Sequence, residues 1–104
     1  MTAPAPIEFS DATVVTVSPR QISTAMGAEQ AILQLDSGKY FGLNPVGARV
    51  WQLLAQPRTV AEVLATLLAE YEVPAERCRA DLLALLHKLH AAGLLVVPPA
   101  AAPA

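Results

Sequence analysis

One stretch near the middle of the chain, from Asp36 to Trp51, limits the possible folds more than any other. It begins with Asp-Ser-Gly, a turn sequence, because Gly tolerates a positive φ and Asp and Ser hydrogen-bond to nearby backbone. Lys39 to Leu43 is too short and too aromatic for a helix and predicts a strand. Asn44 then stands at a helix N-cap position, with Pro45 at the first helical position. We therefore expect sheet before this stretch and helix after it.

The composition predicts one small folded domain. The chain has 104 residues, of which 54% are hydrophobic and 15% charged, so it has enough apolar side chains for a core. The first six residues and the last seven are small and Pro-rich. We expect a flexible N-terminal segment at residues 1–11, a domain at residues 12–97 and a disordered Pro/Ala tail at residues 98–104.

Charge and hydropathy exclude several classes of protein. The formal net charge of −2 argues against a nucleic acid or an anionic membrane as partner. No apolar run approaches the roughly 20 residues that span a bilayer, and the N-terminus lacks the pattern of a signal peptide. Cys78 is the single cysteine, so no internal disulfide can form. We expect a cytoplasmic protein.

Two segments before the turn alternate with the period of a β-strand. In Gln21–Met26 one side carries Ile22, Thr24 and Met26. In Glu29–Leu35 one side carries Ala31, Leu33 and Leu35, and the other carries Gln30, Ile32 and Gln34. With Lys39–Leu43 these segments predict a three-stranded antiparallel meander that has Lys39–Leu43 at one edge. The β-branched Ala12–Val17 predicts a further strand or an extended arm, and Leu94–Val97 a short run lying back against the domain.

Three helices are expected after the sheet. The first runs from Pro45 to Leu54, the second begins at a Thr59-x-x-Glu62 capping box and ends near Tyr71, and the third runs from Pro74 to Ala92. Apolar positions predicted to face the core on the first and third helices are Val46, Val50, Trp51, Leu54, Leu82, Leu85, Leu86 and Leu89. The predicted fold class is α+β, a winged helix-turn-helix-like arrangement with a three-stranded antiparallel sheet followed by three helices.

No set of catalytic residues is evident. His87 and His90 share one side of the third predicted helix, but no third metal ligand accompanies them. Cys78 has no evident activating base, and no glycine-rich phosphate loop is present. We expect no enzymatic activity, no cofactor and no metal site.

The predicted edge strand, Lys39 to Leu43, is the best candidate for a binding site. An edge strand exposes unpaired N–H and C=O groups, and Gly42 lets another backbone come close. A partner peptide would add here as a further strand, with the third helix as the other wall of a groove. The alternative is that Ala12–Val17 covers this edge, and the sequence physics leaves both possibilities open.

A longer pattern surrounds this strand: L-x-x-x-x-G-x-Y-F-x-L-N-P-x-G-A-x-V-W. The residues that match it are Leu33, Gly38, Tyr40, Phe41, Leu43, Asn44, Pro45, Gly47, Ala48, Val50 and Trp51. Further matches follow at Arg58–Val63, Arg79–Leu82 and Lys88–Leu95. In the order and spacing of these motifs, the segment from Pro19 to Val97 resembles the PqqD family, whose fold is also called the RiPP recognition element (RiPPs are ribosomally synthesised, post-translationally modified peptides).

The resemblance implies a non-catalytic protein that binds the leader of a ribosomally made precursor peptide and presents it to a modifying enzyme. The leader is expected as an added strand in a groove shared with the third helix. Carried over to this chain, the implied peptide-binding residues are Lys39, Tyr40, Phe41, Gly42, Leu43, Arg79, Leu82, Leu83 and Leu86. The strand alternation leaves open that Phe41 and Leu43 belong to the core.

The D-x-G-x-Y-F-x-L-N-P-x-G-A form most resembles the discrete leader-binding proteins of lasso-peptide biosynthesis. That likeness implies as partners a precursor leader peptide and a leader peptidase, a transglutaminase-like cysteine protease. A ring-closing cyclase is left open as a further partner.

Two alternatives remain at the level of the sequence. The first is a PqqD-type chaperone that presents its peptide to a radical-SAM enzyme in pyrroloquinoline quinone or related biosynthesis. This chain has Ala55-Gln56-Pro57 in place of the Cys-Asp-Gly stretch associated with that branch. The second is a winged-helix DNA-binding protein, which the net charge opposes.

Overall fold

A strand meander followed by three helices forms the body of the protein, in a computed structural model that describes residues 9–97. The elements are β1 (Val14–Val17), β2 (Gln21–Met26), β3 (Glu29–Gln34), β4 (Tyr40–Leu43), α1 (Pro45–Leu53), β5 (Arg58–Thr59), α2 (Val60–Glu70), α3 (Ala75–Ala91) and β6 (Leu95–Val96). The predicted α+β class is confirmed, and winged helix-turn-helix describes it loosely. The expected flexible residues 1–8 and the expected tail 98–104 lie outside the described residues.

The main sheet is antiparallel in the order β2-β3-β4, with β4 at one edge as predicted. Its register places Ile22 opposite Leu33, and Leu33 opposite Tyr40. Gly38 makes the turn before β4 with a φ of 71°, a backbone conformation that residues with a Cβ rarely adopt.

The face of β3 that packs on the helices carries Gln30, Ile32 and Gln34. Ile32 is fully buried, and Gln34 is tolerated beside it because its side chain is hydrogen-bonded. The Gln34 side-chain oxygen accepts from the N–H groups of Asp36 and Ser37, and its amide nitrogen donates to the Gly93 carbonyl at 3.3 Å. The more apolar side of the sheet therefore faces outward, where Ile22 and Tyr40 are exposed.

A second, smaller sheet has the order β5-β1-β6. The first half of β1 pairs with β5 and the second half pairs with β6. The segment Ala12–Val17 therefore does not cover the edge of β4, and the alternative of edge protection by this arm is wrong. The expected return of Leu94–Val97 against the domain is confirmed by the pairing of β6 with β1.

Local signals in the sequence set where α1 and α2 begin. The Asn44 side chain accepts a hydrogen bond from the Gly47 N–H at 2.8 Å, with Pro45 at the first helical position. The predicted Thr59–Glu62 capping box is present at α2. Val46, which the sequence predicts in the core, is instead 46% exposed on the first turn of α1. Within residues 9–97, no helix is both long and apolar enough to cross a membrane.

Candidate peptide-binding site

Strand β4 leaves half of its backbone hydrogen-bonding groups without a partner strand. The Gln34 N–H donates to the Lys39 carbonyl at 2.9 Å, which fixes the alternation of bonded and non-bonded pairs along this ladder. Phe41 and Leu43 accordingly bond to β3, whereas the N–H and C=O groups of Tyr40 and Gly42 point toward the free edge. Among residues 9–97, no strand pairs with β4 on that side.

A half-open groove runs beside this edge. Its volume is about 430 Å³, and it lies between the end of β4, the start of α1, the end of α2 and one face of α3. The lining residues are Gly42, Leu43, Asn44, Val46, Gly47, Val50, Leu67, Tyr71, Val73, Arg77, Cys78, Asp81, Leu82, Leu85 and Lys88. An apolar floor beside unpaired strand groups can accept an extended peptide that has apolar side chains on one side.

Two apolar side chains that are exposed to solvent line the walls of the groove. Val46 begins α1 and Val73 lies between α2 and α3, and they are 46% and 42% exposed. Gly47 completes the end of the groove, where an added Cβ would lie only 3.3 Å from Asn44 Oδ1. Exposed apolar side chains gathered in one concave surface are typical of a binding site.

The structure brings some of the predicted site residues together in this groove. Gly42, Leu43 and Leu82 line it. Tyr40 is 76% exposed on the outer face of the sheet, and Lys39 is exposed just before β4. Phe41 packs against the hydrophobic core, as the strand alternation allowed.

The helix wall differs from the sequence expectation. The side of α3 that lines the groove carries Cys78, Leu82 and Leu85, which follow i, i+4, i+7 spacing. Leu86 is 1% exposed and belongs to the core, and Leu83 also packs against the core. Leu85, which the sequence predicts in the core, is partly buried against the core and also lines the groove, and the sequence carries no signal for this second contact.

Arg79 lies on a different side of α3, where the N-terminal segment covers it. Its guanidinium forms an ion pair with Asp11 at 2.6 Å, which lowers the pKa of that carboxyl through the hydrogen bond. Phe9 is buried and meets the ring of His87 edge-on at a centroid distance of 4.8 Å. Phe9 and Asp11, which lie in the segment that the sequence predicts to be flexible, therefore contact α3 on the side that bears Arg79 and His87.

The groove contains a thiol but no evident catalytic set. Burial and the nearby Asp81 carboxylate raise the pKa of the Cys78 thiol, which disfavours the nucleophilic thiolate. His87 and His90 lie against Phe9, whereas Cys78 lines the groove. Within the described part of the chain, no group of three His, Cys, Asp or Glu side chains is placed to hold a metal ion. The apolar groove beside the unpaired backbone groups of β4 supports the binding of an extended chain.

Comparison with known proteins gives a consistent family. The family profile of coenzyme PQQ synthesis protein D (PqqD) matches residues 29–95, and no curated protein gives a significant match. A structure of TbiB1 in complex with the TbiA(beta) leader peptide is 34% identical, covers 77% of this chain and 93% of its own, and superposes with a TM-score of 0.73.

Two further solved structures share the fold. Lasso peptide synthetase B1, complexed with the leader peptide, is 27% identical over 79% of this chain and 96% of its own, with a TM-score of 0.70. The PqqD part of Methylobacterium extorquens PqqCD, a stand-alone RiPP recognition element, is 20% identical over 88% of this chain and 97% of its own, with a TM-score of 0.71. At 20% identity, the likeness to the PqqD structure shows a shared fold alone. From the profile match over more than half of its length, this chain belongs to the PqqD family of RiPP recognition elements.

Proposed function

We propose that this protein binds the leader of a ribosomally synthesised precursor peptide and presents it, without catalysing a reaction itself, to a processing enzyme. The leader adds as a strand beside β4 and lays its inward side chains in the groove. One observation carries the proposal: the free edge of β4, where the backbone groups of Tyr40 and Gly42 are unpaired, adjoins at Gly42 an apolar groove of about 430 Å³.

The relatives support this assignment. Two structures related to this chain at 34% and 27% identity are complexes with leader peptides, and the second of them is a lasso peptide synthetase B1. The PqqD structure is more distant at 20% identity. We therefore favour a lasso-peptide pathway over pyrroloquinoline quinone biosynthesis.

The processing partner in this proposal is a leader peptidase of the transglutaminase-like cysteine protease type, with the ring-closing cyclase as a further partner. The leader is the part of the precursor that both enzymes would need to locate. A module that holds the leader in a fixed, extended form reduces the conformational entropy lost when the enzyme engages the precursor.

The backbone alternation limits how the leader can bind. The sheet is antiparallel throughout, so an incoming strand that continues the pattern runs antiparallel to β4. At a rise of about 3.3 Å per residue, four leader residues span the length of β4, and alternate side chains face the groove. The free groups of Tyr40 and Gly42 supply two donors and two acceptors to this pairing.

A fluorescence-polarisation titration tests the proposal. Labelled leader peptides from lasso-type and quinone-type precursors are titrated side by side with the full chain. The proposal predicts a Kd of about 10 μM or tighter for the lasso-type leader, which corresponds to roughly −7 kcal/mol. A Kd weaker than about 100 μM for every leader would overturn it, and a preference for the quinone-type leader would move the protein to the other pathway.

A further inference from the structure

The charged side chains of the groove are confined to α3, and they are unevenly paired. Arg77, Asp81 and Lys88 line the groove on this helix. Arg77 and Asp81 are one turn apart and form an ion pair at 3.8 Å. Lys88 has no acidic partner within residues 9–97, although the whole chain carries a net charge of −2. One end of the groove is thus neutralised internally, and the other presents an unpaired positive charge.

Two contacts orient α3 relative to β4. Arg49, in the second turn of α1, pairs with Glu70 at the end of α2 at 2.7 Å, so the first turns of α1 and α3 lie at the same end of the groove. At the other end, the Gly93 carbonyl just after α3 accepts a hydrogen bond from the Gln34 side-chain amide. The backbone N–H of the same Gln34 donates to the Lys39 carbonyl. The last turns of α3 therefore lie near the start of β4, and α3 runs antiparallel to β4.

A leader that pairs antiparallel with β4 consequently runs in the same direction as α3. Its N-terminal part passes the Arg77–Asp81 pair, and its C-terminal part passes Lys88. Seven residues of helix separate Asp81 from Lys88, a distance of about 10.5 Å along the axis, which an extended peptide covers in about three residues. The leader thus meets the unpaired charge after its side chains have crossed the apolar part of the groove.

We propose that Lys88 is a specificity-determining residue that selects leaders with an acidic side chain on the C-terminal side of the apolar residues filling the groove. This inference rests on the proposed function and deepens it. An Asp or Glu at that point gives Lys88 its missing partner, whereas a Lys or Arg there would be repelled. Arg77 should give a weaker preference, because the Asp81 carboxylate one turn away opposes its charge at the same end of the groove.

The test uses a lasso-type leader peptide that binds in the titration described above. Each residue on the C-terminal side of its groove-filling segment is replaced singly by Glu, Gln or Lys. Affinities are measured with the wild-type protein, with Lys88→Gln and Lys88→Glu, and with Arg77→Gln as the matched control. Arg77→Gln removes one positive charge from the same helix and the same groove.

The wild-type protein should bind the Glu peptide about three-fold more tightly than the Gln peptide at one position, the size expected for one partly exposed ion pair. Lys88→Gln should abolish this preference, Lys88→Glu should reverse it in favour of the Lys peptide, and Arg77→Gln should retain it. The preference should also disappear in 1 M salt, where the Debye length falls to about 3 Å.

If the unmodified leader binds but no position shows a Glu preference that depends on Lys88, the inference is overturned while the proposed function stands. If Arg77→Gln and Lys88→Gln reduce the preference equally, the selectivity belongs to the general charge of the groove, and the role of Lys88 is overturned. If no peptide binds at all, the proposed function itself fails, and the inference fails with it.

Discussion

Asp11 and Arg79 form an ion pair at 2.6 Å that holds the segment before β1 against α3. The side of α3 that bears Arg79 is therefore turned away from the groove, whose wall is made by Cys78, Leu82 and Leu85. The family likeness includes Arg79 in the leader site, whereas the groove lies on another side of α3. Substitutions on the two sides of α3 can therefore show which surface binds the leader.

Replacing Arg79 and Leu85 should have different effects on leader binding. Arg79→Ala should change the Kd by less than about two-fold, because the side chain lies outside the groove and its ion pair with Asp11 is exposed. Leu85→Ala removes apolar surface from the groove wall and should weaken binding by about ten-fold. Calorimetric titration of both variants checks this, and a larger loss from Arg79→Ala would place the site on the other side of α3.

Substitutions at Gly42 should separate binding from folding. An added Cβ meets no atom within 4 Å, so Gly42→Ala should fold and serves as the control. Gly42→Pro removes an N–H that points to the free edge and does not bond to β3. Leader affinity should therefore fall by about ten-fold or more, while the free energy of unfolding changes little. Chemical denaturation and polarisation titration of both variants provide the two measurements. Parallel losses of stability and affinity in Gly42→Pro would contradict this account of the edge.

Two substitutions on α1 should affect different properties: one in the core should lower stability, and one in the groove should weaken leader binding. Trp51 is 5% exposed in the core, so Trp51→Ala should reduce the free energy of unfolding by about 3–5 kcal/mol. Val46 is 46% exposed in the groove, so Val46→Ala should cost less than about 1 kcal/mol and should weaken leader binding instead. Urea denaturation measures the first effect and titration the second. Equal destabilisation by both would mean that Val46 belongs to the core.

Elements that are set by contacts between residues close in the sequence were predictable, and elements that depend on the tertiary fold were not. The starts of α1 and α2 were predictable because Asn44 and Thr59 act on backbone groups within three residues. The pairing of β1 was not, since β5 and β6 contain two residues each and meet β1 only through the tertiary fold.

The candidate site shows the same limit. Strand β4 was identified because its turn, its alternation and its glycine are local features. On α3, however, Leu82, Leu85 and Leu86 form one apolar stripe in the sequence, and packing alone decides that Leu86 is buried while Leu85 faces the groove. An apolar side chain that contacts a ligand has the same helical spacing as one that contacts the core, so the sequence cannot separate Val46 or Leu85 from their buried neighbours.

The thiol of Cys78 offers a chemical probe of the groove. Its pKa is raised above the ordinary value of 9.0 by burial, so the reactive thiolate is scarce at neutral pH and alkylation by N-ethylmaleimide should accelerate as the pH rises toward and above 9. A bound leader should slow the reaction further, because Cys78 lines the groove. A Glu76→Cys control in a Cys78→Ser background places the thiol at an exposed position outside the groove lining. This thiol should react at a rate that the leader does not change. Unchanged alkylation of Cys78 with saturating leader would contradict the placement of the peptide in this groove.

The most direct test of strand addition is amide hydrogen exchange, followed by NMR in the free protein and with a saturating leader peptide. The Tyr40 and Gly42 N–H groups point to the free edge, whereas those of Phe41 and Leu43 bond to β3 in the free protein. We predict that the leader slows exchange at Tyr40 and Gly42 by at least about ten-fold, with much smaller changes at Phe41 and Leu43. A leader that binds tightly and leaves the exchange of Tyr40 and Gly42 unchanged would contradict binding at the edge of β4.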